Sequence, residues 1–203
     1  MDWLYGFLAV VIAYLLGSIS FAYIITKWKT GKDIRTVGSG SAGTTNTARA
    51  VGKPLAAVVM ALDIFKGWLA AQAGLLLLGE TGGLLAFVAV ILGHMFPVWL
   101  GFKGGKGVAC GAGACLALSP TPILLAAVVF ALAIAITGYV SLGSVLGCVV
   151  LIISVLVLPE PILMRLLYTV MACVVLFMHR ANIGRLLNGT ESKTFHNKKL
   201  QGK

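Results

Sequence analysis

A glycine- and lysine-rich segment, Gly101–Gly107, lies between two uncharged hydrophobic stretches and has the composition that phosphate binding requires. Glycine has no Cβ, so its backbone N–H group can turn toward an anion, and the helix predicted to follow adds the positive end of its dipole. A lysine supplies the full charge. The predicted anion-binding residues of this loop are Lys103, Gly104, Gly105, Lys106 and Gly107.

A second glycine-rich segment, residues 38–46, is followed closely by Arg49. Its glycines match G-x-G-x-x-G, but no strand precedes them and no βαβ unit surrounds them, so a dinucleotide site is not indicated. Hydroxyls, an amide and freed backbone N–H groups beside an arginine would still form an oxyanion-binding surface. A flexible loop would explain the glycines and serines equally well. The candidate ligands are Ser39, Gly40, Thr45, Asn46 and Arg49.

Three common catalytic motifs are absent. A Walker A motif ending at Gly105-Lys106 would need Gly at 100 and Ser or Thr at 107, where the chain has Leu and Gly. Neither His94 nor His179 is followed five residues later by Asp, as the acyltransferase motif H-x-x-x-x-D requires. No G-x-S-x-G stands at a strand-to-helix turn. Nucleotide hydrolysis and a covalent serine mechanism are therefore not supported.

Polar side chains also mark the end of the last predicted helix. His179 ends that helix, and Asn182 follows three residues later, on the same side of a continued helical turn. A histidine at a helix C-terminus can also have a purely structural role, because its positive charge interacts favourably with the helix dipole. A polar bend carries Ser141 and Ser144 to the same predicted surface, where both hydroxyls are predicted to bind phosphate.

Ionisable residues within membrane helices are costly and point to function. Asp63 and Lys66 lie i, i+3 on one helix face, where they either neutralise each other or support the site. His94 lies in the hydrophobic stretch 81–102, near its C-terminal end and before Pro97. A helix-to-helix hydrogen bond and a chemical role are both open for this histidine.

The elements that must position these residues are membrane helices. Hydrophobic residues make up 59% of the 203, and only 11% are charged, against roughly 25% in soluble domains. The chain is therefore predicted to be an all-α polytopic membrane protein. A span needs about 20 apolar residues, so we predict seven transmembrane helices. They cover residues 3–26, 54–79 and 81–102, three shorter helices within 107–159 divided near Ser119–Pro122 and Gly138–Gly143, and residues 161–178.

Basic residues give the orientation. Fourteen of the 16 Lys and Arg fall in the first loop, the third loop and the C-terminal tail. The positive-inside rule makes that side cytoplasmic, with an external N-terminus and a cytoplasmic C-terminus; Arg165, the exception, can snorkel outward. Residues 3–26 are too long for a signal peptide and lack a basic leader. Residues 1–193 are expected to form one membrane domain, with a polar basic tail over 194–203.

The net charge of +10 fits anionic lipid heads and phosphorylated substrates, and it requires no nucleic acid. The four cysteines lie within hydrophobic helices without C-x-x-C spacing, so we interpret them as packing residues. No metal and no cofactor is expected.

Taken together, these motifs resemble the bacterial membrane glycerol-3-phosphate acyltransferase family that uses acyl-phosphate. The resemblance covers Gly17 to about Lys193, with the motifs in order and in the predicted loops. Ser41 departs from it, because the family pattern has Asn after Gly-Ser-Gly. The matching segments are Gly17-Ser18, Gly38-Ser39-Gly40 with Thr45-Asn46, Asp63-x-x-Lys66-Gly67, Gly93-His94-x-Phe96-Pro97, Phe102–Ala109, Asn182-Ile183 with Arg185-Leu186-Leu187, and Gly189-Thr190-Glu191.

The resemblance implies acyl transfer from acyl-phosphate to the sn-1 hydroxyl of glycerol-3-phosphate, giving lysophosphatidic acid and phosphate at the cytoplasmic side of the bacterial inner membrane. Because acyl-phosphate is already activated, positioning and charge stabilisation suffice without a metal or covalent intermediate. His179 and Asn182 are the predicted catalytic residues. His179, with an unperturbed pKa near 6.5, would orient the glycerol hydroxyl or accept its proton, unless a substrate phosphate accepts it. Supporting residues are Asp63, Lys66, His94 and Glu191.

Expected partners are both substrates, membrane lipids and the enzyme that supplies acyl-phosphate. The main alternative is a membrane transporter of phosphate or organic anions, which would also need glycine loops and lysines. Transporters commonly show repeated halves and a site at the bilayer midplane, whereas these motifs do not repeat and cluster at one surface. A scaffold that recruits acidic lipids is a weaker alternative.

Overall fold

The computed structural model describes residues 2–194. The predicted polar tail lies outside these residues except for Thr194. Within the described range the chain forms nine α-helices and no β-strand, as the all-α class predicts. The helices are α1 Asp2–Ser18, α2 Phe21–Thr30, α3 Thr44–Val51, α4 Lys53–Met95, α5 Val108–Leu118, α6 Pro120–Thr137, α7 Val140–Val157, α8 Ile162–Met178 and α9 Arg180–Leu187.

Four helical segments of the described range are long and apolar enough to cross a membrane: Trp3–Thr30, Lys53–Leu100, Pro120–Thr137 and Val140–Val157. The pair α8 and α9, bent by 57°, makes a fifth if it counts as one span. α5, with 11 residues, is shorter than the roughly 20 that a straight span needs. Large apolar side chains face outward on these helices, as on Leu76, Ile136 and Val157. The fold is therefore that of a multi-pass membrane protein.

α4 is interrupted near its middle. Leu78 and Gly79 leave the helical conformation, and Gly79 has a positive φ of 59°. The two arms, residues 53–77 and 80–95, approach so closely that a Cβ on either Gly74 or Gly82 would overlap the other residue's carbonyl oxygen. The sequence predicted two helices divided near residue 80, and the structure has this division.

The prediction of one continuous helix over residues 3–26 is wrong, because the helix breaks at Ile19-Ser20. Ser20 caps α2, its Oγ accepting a hydrogen bond from the Tyr23 N–H at 3.3 Å. A serine at an N-cap competes with continuation of the preceding helix. The break leaves the Ile19 carbonyl oxygen free to accept a hydrogen bond from a side chain of α4.

Small residues allow the bundle to pack closely. A Cβ on Gly93 would overlap the Tyr14 carbonyl where α4 crosses α1, and a Cβ on Gly113 would overlap the Ile64 carbonyl where α5 crosses α4. Such backbone approach is typical of membrane helix pairs. α6, α7 and α8 complete the bundle, and the α8–α9 bend at His179 lies at the same end as α3, the third loop and the α6–α7 turn.

Candidate active site

An apolar chamber of about 360 Å³ opens among the helices at this end of the bundle. Its far part includes a stacked aromatic pair, Phe87 and Tyr168, whose ring centroids are 4.8 Å apart. Tyr168 is fully buried and donates its hydroxyl to the Cys115 carbonyl at 3.3 Å. It lies eleven residues before His179 on α8, a helical rise of about 16 Å. The chamber therefore has an apolar interior and, at His179, a polar mouth.

At the mouth, a lysine, an asparagine and a glutamate form a chain of hydrogen bonds. Lys106 Nζ donates to Asn182 Oδ1, and Asn182 Nδ2 donates to Glu191 Oε1 at 2.8 Å. An ammonium has no acceptor and an ionised carboxylate has no donor, so these partners fix the orientation of the amide. One N–H of the Asn182 amide remains for another acceptor.

Glu191 joins three structural elements at the mouth. Its carboxylate also accepts hydrogen bonds from Ser141 Oγ at 2.9 Å and from Arg185 Nε at 2.6 Å. Burial opposes its ionisation, but the hydrogen bonds from Asn182, Ser141 and Arg185 keep the pKa of Glu191 below its ordinary value. Glu191 is therefore an anionic anchor that joins its own C-terminal segment to α7, through Ser141, and to α9, through Asn182 and Arg185.

Lys106 carries its charge in a largely enclosed position. Burial is the main cause that lowers its pKa to about 8; the charge of Glu191 opposes this shift, and the charges of Arg185 and Arg49 add to it. An incoming phosphate would stabilise the ammonium that burial disfavours. The site thus holds a cation with an incomplete set of anionic partners.

His179 is 4% exposed at the turn between α8 and α9. Its Nδ1 lies 2.8 Å from the Val175 carbonyl oxygen, which can only accept, so Nδ1 carries the proton and Nε2 is the free acceptor of a neutral ring. Burial lowers the pKa of His179 to about 4, the Val175 contact opposes this shift, and the charge of Lys106 adds to it. The pKa of His179 therefore lies below the unperturbed histidine value near 6.5.

The predicted first-loop ligands have different surroundings. Arg49 is exposed at the chamber mouth, with Nη2 2.5 Å from Ser192 Oγ. Asn46 is buried, donating to the Ile34 and Val37 carbonyls and accepting from the Ser39 N–H at 2.9 Å. The Asn46 amide therefore stabilises the loop, and its hydrogen bonds go to the loop backbone and not to a ligand. Ser39 and Thr45 line the mouth, whereas Gly40 makes a turn with φ of 73°.

The third loop differs from the expectation that its glycines free their N–H groups. Gly104 donates to the Met95 carbonyl at 3.1 Å and Gly105 to the His94 carbonyl at 3.0 Å. These two glycines allow close packing, since a Cβ on Gly105 would overlap the His94 ring. Lys103 is exposed and does not line the chamber. Lys106 is the residue of this loop that the structure brings to Asn182.

The structure brings most of the predicted site residues to one chamber. Ser144 donates its hydroxyl to the Val140 carbonyl at 3.1 Å, so it has a local partner. Gly40, Lys103, Gly104, Gly105, Lys66 and Glu191 do not line the chamber. Those that line it are Ser39, Thr45, Asn46, Arg49, Asp63, His94, Lys106, Gly107, Ser141, Ser144, His179 and Asn182.

Three residues received no role from the sequence: Arg185 and Ser192 at the mouth, and Tyr168 in the chamber interior. Arg185 stood in a matching motif, and its place six residues before Glu191 was the available signal. Nothing in the sequence pointed to Ser192 or Tyr168. Among residues 2–194, no three His, Cys, Asp or Glu side chains form a group that could hold a metal ion.

The fold and the site define a polytopic membrane protein with cationic side chains at the mouth of an apolar chamber. Residues 7–189 match the family model described as glycerol-3-phosphate acyltransferase. A glycerol-3-phosphate acyltransferase of Thermoanaerobacter sp. (strain X514) is 43% identical over 190 residues, which are 94% of this chain and 96% of that protein. The chain belongs to the glycerol-3-phosphate acyltransferase family.

Further relatives agree with this assignment. A glycerol-3-phosphate acyltransferase of Clostridioides difficile (strain 630) is 46% identical over 191 residues, covering 90% of this chain and 92% of that protein. The crystal structure of the integral membrane glycerol 3-phosphate acyltransferase PlsY (YgiH), in its glycerol 3-phosphate form, superposes with a TM-score of 0.90 at 36% identity, covering 98% of this chain and 99% of that one. Its lysophosphatidic acid form gives 0.83 at 35% identity, covering 93% and 94%. These comparisons do not support the transporter alternative.

Proposed function

We propose that this protein transfers an acyl group from acyl-phosphate to the sn-1 hydroxyl of glycerol-3-phosphate, releasing lysophosphatidic acid and phosphate. The observation that carries the proposal is the placement of Lys106 and Arg49 at the mouth of an apolar chamber. Two phosphates and one acyl chain need this combination. The solved neighbours are described in a glycerol 3-phosphate form and a lysophosphatidic acid form, which supports the same acceptor and product here.

In the proposed reaction, the glycerol hydroxyl oxygen attacks the acyl carbonyl carbon, and the bond from that carbon to the phosphate oxygen breaks. Lys106 offsets the charge of the phosphate groups, and the remaining Asn182 N–H stabilises the carbonyl oxygen as charge develops there. The hydroxyl proton passes to His179 Nε2 or to a substrate phosphate oxygen. Arg49, Ser39 and Thr45 complete the phosphate surface, while Ser141 and Glu191 hold Asn182 in place.

The proposed topology has seven spans: the α1–α2 unit, the two arms of α4, and α5, α6, α7 and α8. The N-terminus is external and the C-terminus cytoplasmic, which places both glycine-rich loops and His179 at the cytoplasmic face of the bacterial inner membrane. Residues 1–193 act as one domain. An enzyme that makes acyl-phosphate is the expected supplier of the donor.

Donor choice is the most direct test of the proposal. Purified protein in detergent is given glycerol-3-phosphate with palmitoyl-phosphate, palmitoyl-coenzyme A or a palmitoylated carrier protein, and lysophosphatidic acid is measured. Formation of lysophosphatidic acid with palmitoyl-phosphate, and with neither thioester donor, supports the proposal. Product from a thioester donor, with none from palmitoyl-phosphate, would contradict it.

A further inference from the structure

A trio of ionisable side chains lies buried inside the bundle, behind the mouth of the chamber. Asp63 and Lys66 are 2% and 1% exposed, and His94 is 7% exposed. Lys66 Nζ is 2.7 Å from Asp63 Oδ1, and His94 Nδ1 is 3.6 Å from the same oxygen, an ion-pair distance too long for a hydrogen bond. The proposed acyl transfer assigns no step to this trio.

Each outer member of the trio contacts an irregular part of the backbone. Lys66 Nζ donates to the Ile19 carbonyl at 2.7 Å, at the break between α1 and α2. The His94 carbonyl accepts the Gly105 N–H at 3.0 Å, and the His94 ring packs against the Cα of Gly105. The trio thus connects the first helix break, the first arm of α4 and the third loop.

The third loop is held from two directions only one residue before Lys106. Gly104 and Gly105 donate to the backbone of α4, and the Gly104 carbonyl accepts the Ala42 N–H of the first loop at 3.2 Å. His94 is therefore the side chain that fills the space beneath the residue next to Lys106. A displacement of His94 would move Lys106 relative to Asn182.

Stability gives no reason to keep these charges. Burying an ion pair costs free energy of desolvation, and replacing such a pair by apolar residues of similar volume is often neutral or stabilising. Charges within membrane segments are costlier still. The hydrogen bonds of Lys66 to the Ile19 carbonyl and of the Gly105 N–H to the His94 carbonyl instead link three backbone segments.

We propose that Asp63, Lys66 and His94 are positioning residues that hold the third loop in register, so that Lys106 meets Asn182 and the substrate phosphate. This inference rests on the proposed function. Although Asp63 and His94 line the chamber, the role inferred for the trio acts through the backbone of Gly105 and not through contact with substrate.

The test is a charge-free double variant, Asp63→Leu with Lys66→Met, which removes both charges without leaving one unpaired. We expect it to fold, with a melting temperature close to that of the wild type, and to lose at least about tenfold in kcat/KM for glycerol-3-phosphate, since misplacement of about 1 Å can cost on the order of 100-fold. The matched control is Ser119→Ala, which removes a partly buried hydrogen bond to Glu160 at the opposite end of the bundle. A folded double variant within twofold of the wild type would overturn the proposal.

A second readout follows the position of Lys106 itself. Lys106 faces Arg49, Arg185, Glu191 and His179, so its titration reports whether it still lies among them. In the double variant, and in His94→Leu if the double variant does not fold, the alkaline limb of kcat/KM should move to higher pH as Lys106 becomes exposed. An unmoved limb in a folded variant would overturn the proposal. The activity of the wild-type protein in the same assay tests the proposed function separately. An inactive wild-type protein would contradict the proposed acyl transfer and not the role of the trio.

Discussion

Lys106 supplies the charge of the anion site and begins the series of hydrogen bonds that runs through Asn182 to Glu191. A charge-assisted hydrogen bond is worth roughly 1.5–3 kcal/mol, so Lys106→Ala should lose at least about tenfold in kcat/KM while folding normally. Steady-state kinetics with varied glycerol-3-phosphate measures the loss. Arg49→Ala should raise KM by a similar factor, because Arg49 is exposed at the mouth. Wild-type kinetics in both variants would remove the phosphate interpretation.

The burial of Lys106 predicts an alkaline limit to activity. With a pKa of about 8 in the free enzyme, Lys106 is charged below pH 8 and loses its proton as the pH rises through 8. Activity that needs the ammonium should therefore fall above pH 8, well below the ordinary lysine pKa near 10.4. A pH profile of kcat/KM checks this. In Lys106→Arg the guanidinium stays charged, so a limb that persists at pH 8 in this variant would assign it to another group.

His179 gives the corresponding prediction on the acidic side. Because burial lowers its pKa to about 4, His179 is neutral at pH 7 and loses its acceptor only near pH 4. If His179 is the base, His179→Gln should lower kcat by on the order of 100-fold and remove an acidic limb near pH 4. If a substrate phosphate is the base, a limb near pH 6 should remain in the variant, since phosphate monoesters have a second pKa around 6. A fully active His179→Ala would exclude both a basic and a positioning role for His179.

At the scale of elements, α7 forms one wall of the chamber through Gly147. A Cβ at this position would meet the Ala126 carbonyl oxygen at 3.4 Å, so a larger side chain must extend into the chamber or push α6 away. Gly147→Leu should therefore lower kcat/KM for palmitoyl-phosphate more than for an octanoyl donor. Competition between the two donors, with product lengths resolved by mass spectrometry, measures the ratio. An equal loss for both donors would contradict an acyl chamber beside α7.

The elements also show what the sequence could reveal and what it could not. Long uncharged stretches are enough to predict membrane helices, and i, i+3 spacing is enough to predict the Asp63–Lys66 pair, because both follow from local periodicity. The partners of Asn46 could not be predicted, since the Ile34 and Val37 carbonyls meet its amide only after the loop has folded. The sequence predicted that the N–H groups of Gly104 and Gly105 are free to bind an anion. In the structure they donate to backbone carbonyls of α4, which the sequence could not show for the same reason.

At the scale of the whole molecule, the parity of the spans decides which loops share a compartment. The seven spans proposed above, oriented by the positive-inside rule, would put position 2 outside and position 203 inside the cell. Single cysteines placed at these positions, in a background without the native cysteines, should react with an impermeant reagent from opposite sides of the membrane. Labelling of both from the same side would make the count wrong by one.

If both substrates meet in one chamber, phosphate and lysophosphatidic acid must form together in a fixed ratio. Purified protein is given palmitoyl-phosphate with and without glycerol-3-phosphate, and phosphate and lysophosphatidic acid are measured together. We expect one phosphate for each lysophosphatidic acid and little release of phosphate without glycerol-3-phosphate. Phosphate release that is independent of glycerol-3-phosphate and yields no lysophosphatidic acid would contradict acyl transfer as the reaction of this chain.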